Sequence, residues 1–422
     1  MNTIKRMGAV GGAVVLVLCW PLAVGQIGQN VITDGIAHFS NEQVTAELVS
    51  YDRGYLSSHV ETRYTILDPQ LKAQLAEQGI PAQFLLDSEI SHGLISLTAV
   101  SDFPEYPELP LTITSTTSLN GNTRFKVESD NWHYQNQGET PFTISLTPAV
   151  LEGSATRLGE LTYSLSVPSI DMDFTNGEKA QLSHLRIDGQ GKQIKGFWIG
   201  KQSLTLDALT TTDIDGTTPF SADKASYQFT STLDEATQRF SSQHVVNIGQ
   251  VVNQDNILRD VQLDFTLADV DSDSFEQLSN IYQSYPEMTH EAMGQAMPYL
   301  DTLFSKGFRL TMDKLSASLG EGEFTSSWSL SIPEGTDNVM QDPGIVLSAL
   351  TGHLESSVSN QLAAAYPMIQ QGADELVVME MATQDDKGYQ LKADVKDGNL
   401  QFSNGTKVPL VALFMTLMMQ QG

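Results

Sequence analysis

The sequence predicts an α+β, β-rich fold, in which an N-terminal transmembrane helix is followed by long antiparallel β-sheets with two or three interspersed amphipathic helical segments. Three observations carry this expectation: an uncharged apolar run near the N-terminus, alternating segments separated by Asn-Gly and Asp-Gly pairs, and two stretches whose apolar residues recur at helical spacing.

The apolar run extends over residues 7–28, MGAVGGAVVLVLCWPLAVGQIG, and is preceded by Lys5 and Arg6. About 20 apolar residues match the hydrocarbon thickness, and the basic pair on the N-terminal side predicts that residues 1–6 stay in the cytoplasm. Residues 29–422 are then expected outside it, with a soft division near 270–310. Ala23-Val24-Gly25 presents small residues at the spacing a signal peptidase reads, so a cleaved leader is the rival expectation. Against cleavage, apolar spacing continues through Ile27, Val31, Ile36 and Phe39.

From Gln43 the period changes to alternation. Val44, Ala46 and Leu48 share one face, and Val60, Thr62, Tyr64 and Ile66 share another after the break YDRGYLSS, residues 51–58, so this segment predicts a β-hairpin. A short helix is expected at 69–78. Asn120-Gly121, Asn176-Gly177 and Asp397-Gly398 each divide two β-prone runs, as type I′ turns require positive φ at both central residues. Further strands are expected at 161–167, 203–209, 227–233, 261–267, 308–315 and 325–332, with Ser, Thr and Asp on one parity and apolar residues on the other. Phe275, Leu278, Ile281, Tyr285, Met288, Ala292, Ala296, Leu300 and Leu303 make one helical stripe, which Pro286 and Pro298 should break into pieces. Leu347, Leu350, Leu354, Val358, Leu362, Ala365 and Ile369 make a second, starting after Asp342-Pro343. The closing VPLVALFMTLMM, 408–419, is too short to span a bilayer and is read as a core helix, with a surface for an apolar ligand or self-association around Phe414, Met415 and Met418 as the alternative.

The formal net charge of −28, with no basic cluster beyond the first residues, argues against nucleic acid as a partner. The single cysteine, Cys19, lies in the apolar run, so neither an intramolecular disulfide nor a cysteine metal cluster is available. No HExxH, GxSxG or Walker-type loop is present, and the eight histidines are dispersed. Asp269, Asp271 and Asp273 alternate as in the opening of a calcium loop, but Ser274 and Asn280 stand where glycine and glutamate are required, so a strand-to-helix turn is expected. Arg53 could pair with an acidic partner or ligand anion; the plainer reading of Tyr51, Asp52, Arg53 and Gly54 is a structural turn. No catalytic residue, metal ligand or cofactor is assigned.

With the leader containing Trp20, the YDRGYLSS hairpin and the closing DGNLQFSNGTKVPL, 397–410, the chain resembles the YdgA-like bacterial envelope proteins, with Tyr55 where many such proteins have tryptophan. The resemblance implies an uncleaved inner-membrane anchor and a periplasmic body, and it implies no reaction. The layout also looks distantly like the AsmA-type envelope proteins, whose sheets present apolar grooves to lipids, a likeness of fold alone. The expected function is therefore non-enzymatic, working in the cell envelope through protein contacts or homodimerisation. The alternatives are a lipid or other apolar ligand held in a β-sheet groove, and a hydrolase with dispersed catalytic residues.

Overall fold

The computed structural model describes residues 21–36, 44–77, 81–107, 109–136, 141–254, 256–285, 289–342 and 344–413. The chain divides into two units, Met1–Gln190 and Gly191–Gly422.

In the first unit, residues 21–36 form helix α1, followed by β1 (Val44–Arg53), β2 (Ser57–Ile66), α2 (Pro69–Glu77), β3 (Gln83–His92), β4 (Ser96–Asp102), β5 (Leu111–Ser118), β6 (Thr123–Ser129), β7 (Trp132–Asn136), β8 (Phe142–Leu146), β9 (Ala149–Ala155) and β10 (Leu161–Phe174). Strand β11 (Lys179–Ile194) runs through the boundary. Strands β1 to β6 pair antiparallel in chain order; β6 then pairs with β9, β9 with β10, β10 also with β8, and β8 with β7. The Asn-Gly turn joins β5 to β6 as expected, but not in the type I′ form: Gly121 takes a positive φ of 88°, which makes glycine the apt residue there, whereas Asn120 does not.

The core of this unit lies between α1 and the sheet. Val24 is wholly buried against Val60, Ile90 and Leu97, with Ile32, Leu48, Tyr51, Ala99 and Leu119 packed around them. Close approach depends on two glycines: a Cβ on Gly25 would stand 2.5 Å from the His92 ring, and one on Gly28 would stand 2.2 Å from the Leu97 side chain.

This packing corrects the expected transmembrane helix. No helix among the described residues is long and apolar enough to cross a membrane. Residues 7–20 lie outside the described residues, and the end of the apolar run that is described meets protein: Val24, Gly25 and Gly28 face the sheet. Gln26, Gln29, Asn30 and Asp34 interrupt the continuation, so over 21–36 the helical spacing reports one apolar stripe on a protein surface.

The second unit contains β12 (Phe197–Thr212), β13 (Phe220–Asp234), β14 (Arg239–Asn253), β15 (Asn256–Asp271), α3 (Ser272–Ser284), α4 (His290–Lys306), β16 (Phe308–Leu319), β17 (Gly322–Ile332), α5 (Gly344–Ala349), β18 (Thr351–Ser359), α6 (Asn360–Ala365), α7 (Pro367–Val378), β19 (Ala382–Gln384), β20 (Gly388–Lys396), β21 (Asn399–Phe402) and β22 (Lys407–Pro409). Strands β12 to β18 pair antiparallel in chain order, β18 pairs with β20, and β20 carries β19 and β21, with β22 on β21.

The helical stripe at 275–303 is realised as α3 and α4; the break expected at Pro298 is corrected, since α4 continues through it from His290 to Lys306, and Pro286 lies outside the described residues. The second stripe is corrected: α5, α6 and α7 are helices, but 351–359 between them is β18. Leu354 and Val358 fit a helical face, yet they are also even-numbered strand positions alternating with His353, Glu355 and Ser357. Full-length pairing with β17 on one side and β20 on the other decides between the two periods.

Candidate functional site

Of the residues singled out by the sequence, Tyr51, Asp52 and Arg53 are the last positions of β1, opposite Val60, His59 and Ser58, and only Gly54 belongs to the turn. Arg53 donates to the Gln26 side chain on α1, tying the helix to the strand. The Tyr51 phenol is held neutral: burial raises its pKa by more than the Ser58 hydroxyl and the Arg53 charge lower it. Phe414, Met415 and Met418 lie outside the described residues.

The aspartates of the DVDSDSF run are drawn to three different cations. Asp269 pairs with Arg309 at 2.9 Å, Asp271 with Lys306, and Asp273 with Lys195. Asp271 also caps α3, accepting from the Ser274 amide at 3.0 Å and its hydroxyl at 2.6 Å. The segment is the strand-to-helix turn that the sequence suggested, and among the described residues no group of three or more His, Cys, Asp or Glu is placed to hold a metal ion.

Serine and histidine meet in several places. Ser58 Oγ lies 2.8 Å from His92 Nε2, and Ser242 Oγ lies 3.2 Å from His244 Nε2. The remaining nitrogens face the Tyr55 carbonyl at 3.3 Å and the Tyr227 hydroxyl at 2.8 Å, so neither ring is oriented by a carboxylate. Ser58 and Ser242 are both buried; Ser58–His92 links β2 to β3, whereas Ser242 and His244 lie on the same strand, β14, and His244 reaches β13 through Tyr227.

An open cleft of about 430 Å³ runs along α7, lined by Pro367, Gln370, Gln371, Asp374, Glu375, Val378 and Met379. Asp374 accepts from the Tyr389 hydroxyl at 2.7 Å, which raises the pKa of that phenol. Met368 and Val378 stand exposed on the same helix, as does Met379 at its C-terminal cap.

The largest chemical feature of the second unit is one face of its sheet. Directly opposed residues share a face, and the registers place Phe229 opposite His244, His244 opposite Phe265, Phe265 opposite Met312, Met312 opposite Trp328, and Trp328 opposite Leu354. The row ends on buried Ala393 and Phe402. A parallel row carries Leu204, Tyr227, Val246 and Leu263, and another carries Leu267, Leu310 and Leu330. The rings form a chain with centroid separations of 5.1 Å for Phe229–His244, 6.2 Å for His244–Phe265 and 6.3 Å for Phe265–Trp328. Except for Ala393 and Phe402, these side chains are only partly buried.

The opposite face is polar and cross-linked: Gln243 donates to Asp264 at 2.8 Å, Lys392 pairs with Glu355 at 2.7 Å, and His353 meets Asp394 at 2.9 Å. Helices stand at the two ends of the apolar face. Phe275 of α3 stacks on Phe240 at 5.7 Å and on Phe197 at 5.4 Å. At the other end a Cβ on Gly322, on the same parity as Trp328, would stand 2.5 Å from Leu362 of α6. Two titratable groups on the face are shifted by burial: the pKa of His244 is lowered from the ordinary 6.5, favouring the neutral ring, and that of the Tyr227 phenol is raised.

Sequence reasoning named the strands 227–233, 261–267, 308–315 and 325–332 but not β14 or β18, so it did not reach this continuous row. The legible signal was the even-parity series His244, Val246, Ile248, partly masked by Val245 on the other parity.

No curated protein and no solved structure matches the chain. A family model described as "Bacterial protein of unknown function (DUF945)" matches residues 4–411, nearly the whole chain, and the protein belongs to that family.

Proposed function

We propose that this protein works without catalysis in the bacterial cell envelope, its second unit holding an apolar ligand such as the acyl chain of a lipid against the sheet face centred on Phe265 and Trp328. The carrying observation is that the aromatic and aliphatic rows from β12 to β18 remain partly exposed. A sheet with one polar and one apolar face needs a partner for the apolar side. The chain's −28 charge makes a second copy an unfavourable partner, whereas an uncharged hydrocarbon meets no such repulsion. Along a strand, Val261 to Leu267 covers roughly 20 Å at strand rise, and one acyl chain spans about half of the ~30 Å bilayer core. The resemblance to the YdgA-like envelope proteins and the apolar leader both support a site of action outside the cytoplasm.

The test is native mass spectrometry of full-length protein extracted in mild detergent, comparing the parent with Phe265→Ser/Trp328→Ser. Bound lipid on the parent, lost from the variant while circular dichroism stays unchanged, is the expected result. A lipid-free parent that takes up no fatty acid overturns the reading.

One observation favours a second reading, in which the protein acts through protein contacts: the exposed Met368 and Val378 on α7, with Met379 just after its end, offer an adaptable apolar surface. Sedimentation of Met368→Ser/Val378→Ser against the parent measures it.

A further inference from the structure

The first unit carries apolar residues where turns are normally polar. Leu56 is 59% exposed in the β1–β2 turn, Leu94 and Ile95 are 76% and 71% exposed in the β3–β4 turn, and Leu158 is 84% exposed in the β9–β10 turn, with Tyr55 also exposed.

These turns stand side by side. In an antiparallel meander every second turn falls at the same end of the sheet, and hydrogen bonds join neighbours along it. His92, at the end of β3, donates from its backbone to Leu56 O at 2.7 Å; Leu119, in the β5–β6 turn, donates to Ile95 O at 3.3 Å; and the Arg157 amide donates to Asn122 Oδ1 at 3.1 Å. The result is one rim of projecting leucine and isoleucine side chains. The connection between β4 and β5 at the other end reads DFPEYPELP and holds no such tips.

We propose that this rim is a membrane-docking edge, whose leucine and isoleucine tips enter the interfacial region of a phospholipid bilayer. Three observations select a bilayer over a protein partner. The apolar residues 7–20 join the described chain at α1, and α1 lies along this same end, with Gly25 against His92 and Gln26 on Arg53. The tips are separate side chains on three turns of the rim, with the polar β5–β6 turn between two of them, which suits insertion into a fluid phase better than contact with a rigid complementary surface. The charges around them balance, Arg53 and Arg157 against Asp52 and Glu160, so the acidity of the whole chain is not expressed here. Docking is accordingly driven by apolar burial and is insensitive to lipid charge and salt. The proposal concerns the first unit and does not depend on ligand binding by the second.

The experiment uses full-length protein carrying Cys19→Ser, with Leu94→Cys, Leu158→Cys or, as the control, Ile214→Cys, each labelled with an environment-sensitive fluorophore. Ile214 is 68% exposed in the β12–β13 connection of the second unit. With phosphatidylcholine vesicles, labels at 94 and 158 are expected to shift to the blue and to be quenched by lipids brominated in the acyl chain. The label at 214 stays unshifted, and added anionic lipid or salt changes nothing. Unchanged melting temperatures show that the substitutions leave the fold intact. Labels at 94 and 158 that remain as wet as the one at 214 overturn the proposal. So does a shift that grows with protein concentration in the absence of vesicles, which would assign the rim to a second copy.

Discussion

Lys306, in the last turn of α4, supplies the countercharge for Asp271, the residue that caps α3. Asp271 is 1% exposed, so one carboxylate joins a strand end, a helix start and the end of a second helix. Burial alone would raise its pKa; Lys306 and Ser274 outweigh burial and hold it below the ordinary 3.8. The group therefore contributes stability that is full above the ordinary value and lost as pH falls through the lower folded one. Asp271→Ala is expected to lower unfolding free energy at neutral pH by about 2 kcal/mol, the upper range for a lost helix cap. In denaturant titrations, the difference from the parent should shrink once the solution is acid enough to protonate Asp271.

Val24→Asp should destabilise the first unit by roughly 3 kcal/mol, because a carboxylate would replace an apolar side chain that has no exposed surface. Gly28→Val, which drives a side chain into buried Leu97, is expected to cost about 2 kcal/mol. Hydrogen exchange should speed up in β2, β3 and β4 and remain unchanged in β13 to β17; uniform acceleration would contradict the local packing.

His244 predicts a second acid effect with its own window. Its folded pKa lies below 6.5, so the unfolded chain takes up the proton first as pH falls. Stability is full above 6.5 and declines as pH drops from there through the folded value. His244→Phe, which continues the ring row, should remove that slope, seen as melting temperatures that no longer separate between neutral and mildly acidic buffer. A slope retained in full would place its origin elsewhere.

Arg53→Ala should leave the fold intact and change stability by no more than about 0.5 kcal/mol, since its bond to Gln26 is exposed. The expected sign is faster proteolysis within α1, with the sheet unaffected.

Turn chemistry was the most legible part of the sequence. Asn120-Gly121, Asn176-Gly177 and Asp397-Gly398 each sit between the strands they were expected to join, but only Asp397-Gly398 has the expected positive φ at both residues; at the two Asn-Gly turns the glycine alone is left-handed. Where two periods coincide, local reasoning fails: Leu354 and Val358 satisfy a helical stripe and a strand face equally, and only β17 and β20, distant in sequence, choose. Val24 shows the same limit for burial. Apolarity marks a residue that leaves water, and whether lipid or Val60 and Leu97 receives it is decided by tertiary structure. The ring row was hidden for a related reason: Phe265 and Trp328 belong to strands separated by two helices, and register alone brings them within 6.3 Å.

That alignment makes the chemistry of the second unit unusually sensitive to where length changes occur. One residue inserted into β15 would turn Phe265 toward the side now held by Asp264 and Gln243, exchanging oil for water along a whole column. The same insertion in the connection around Ile214 would leave every column in place. Members of the family should therefore differ freely in their hairpin loops while keeping strand lengths fixed from one turn to the next.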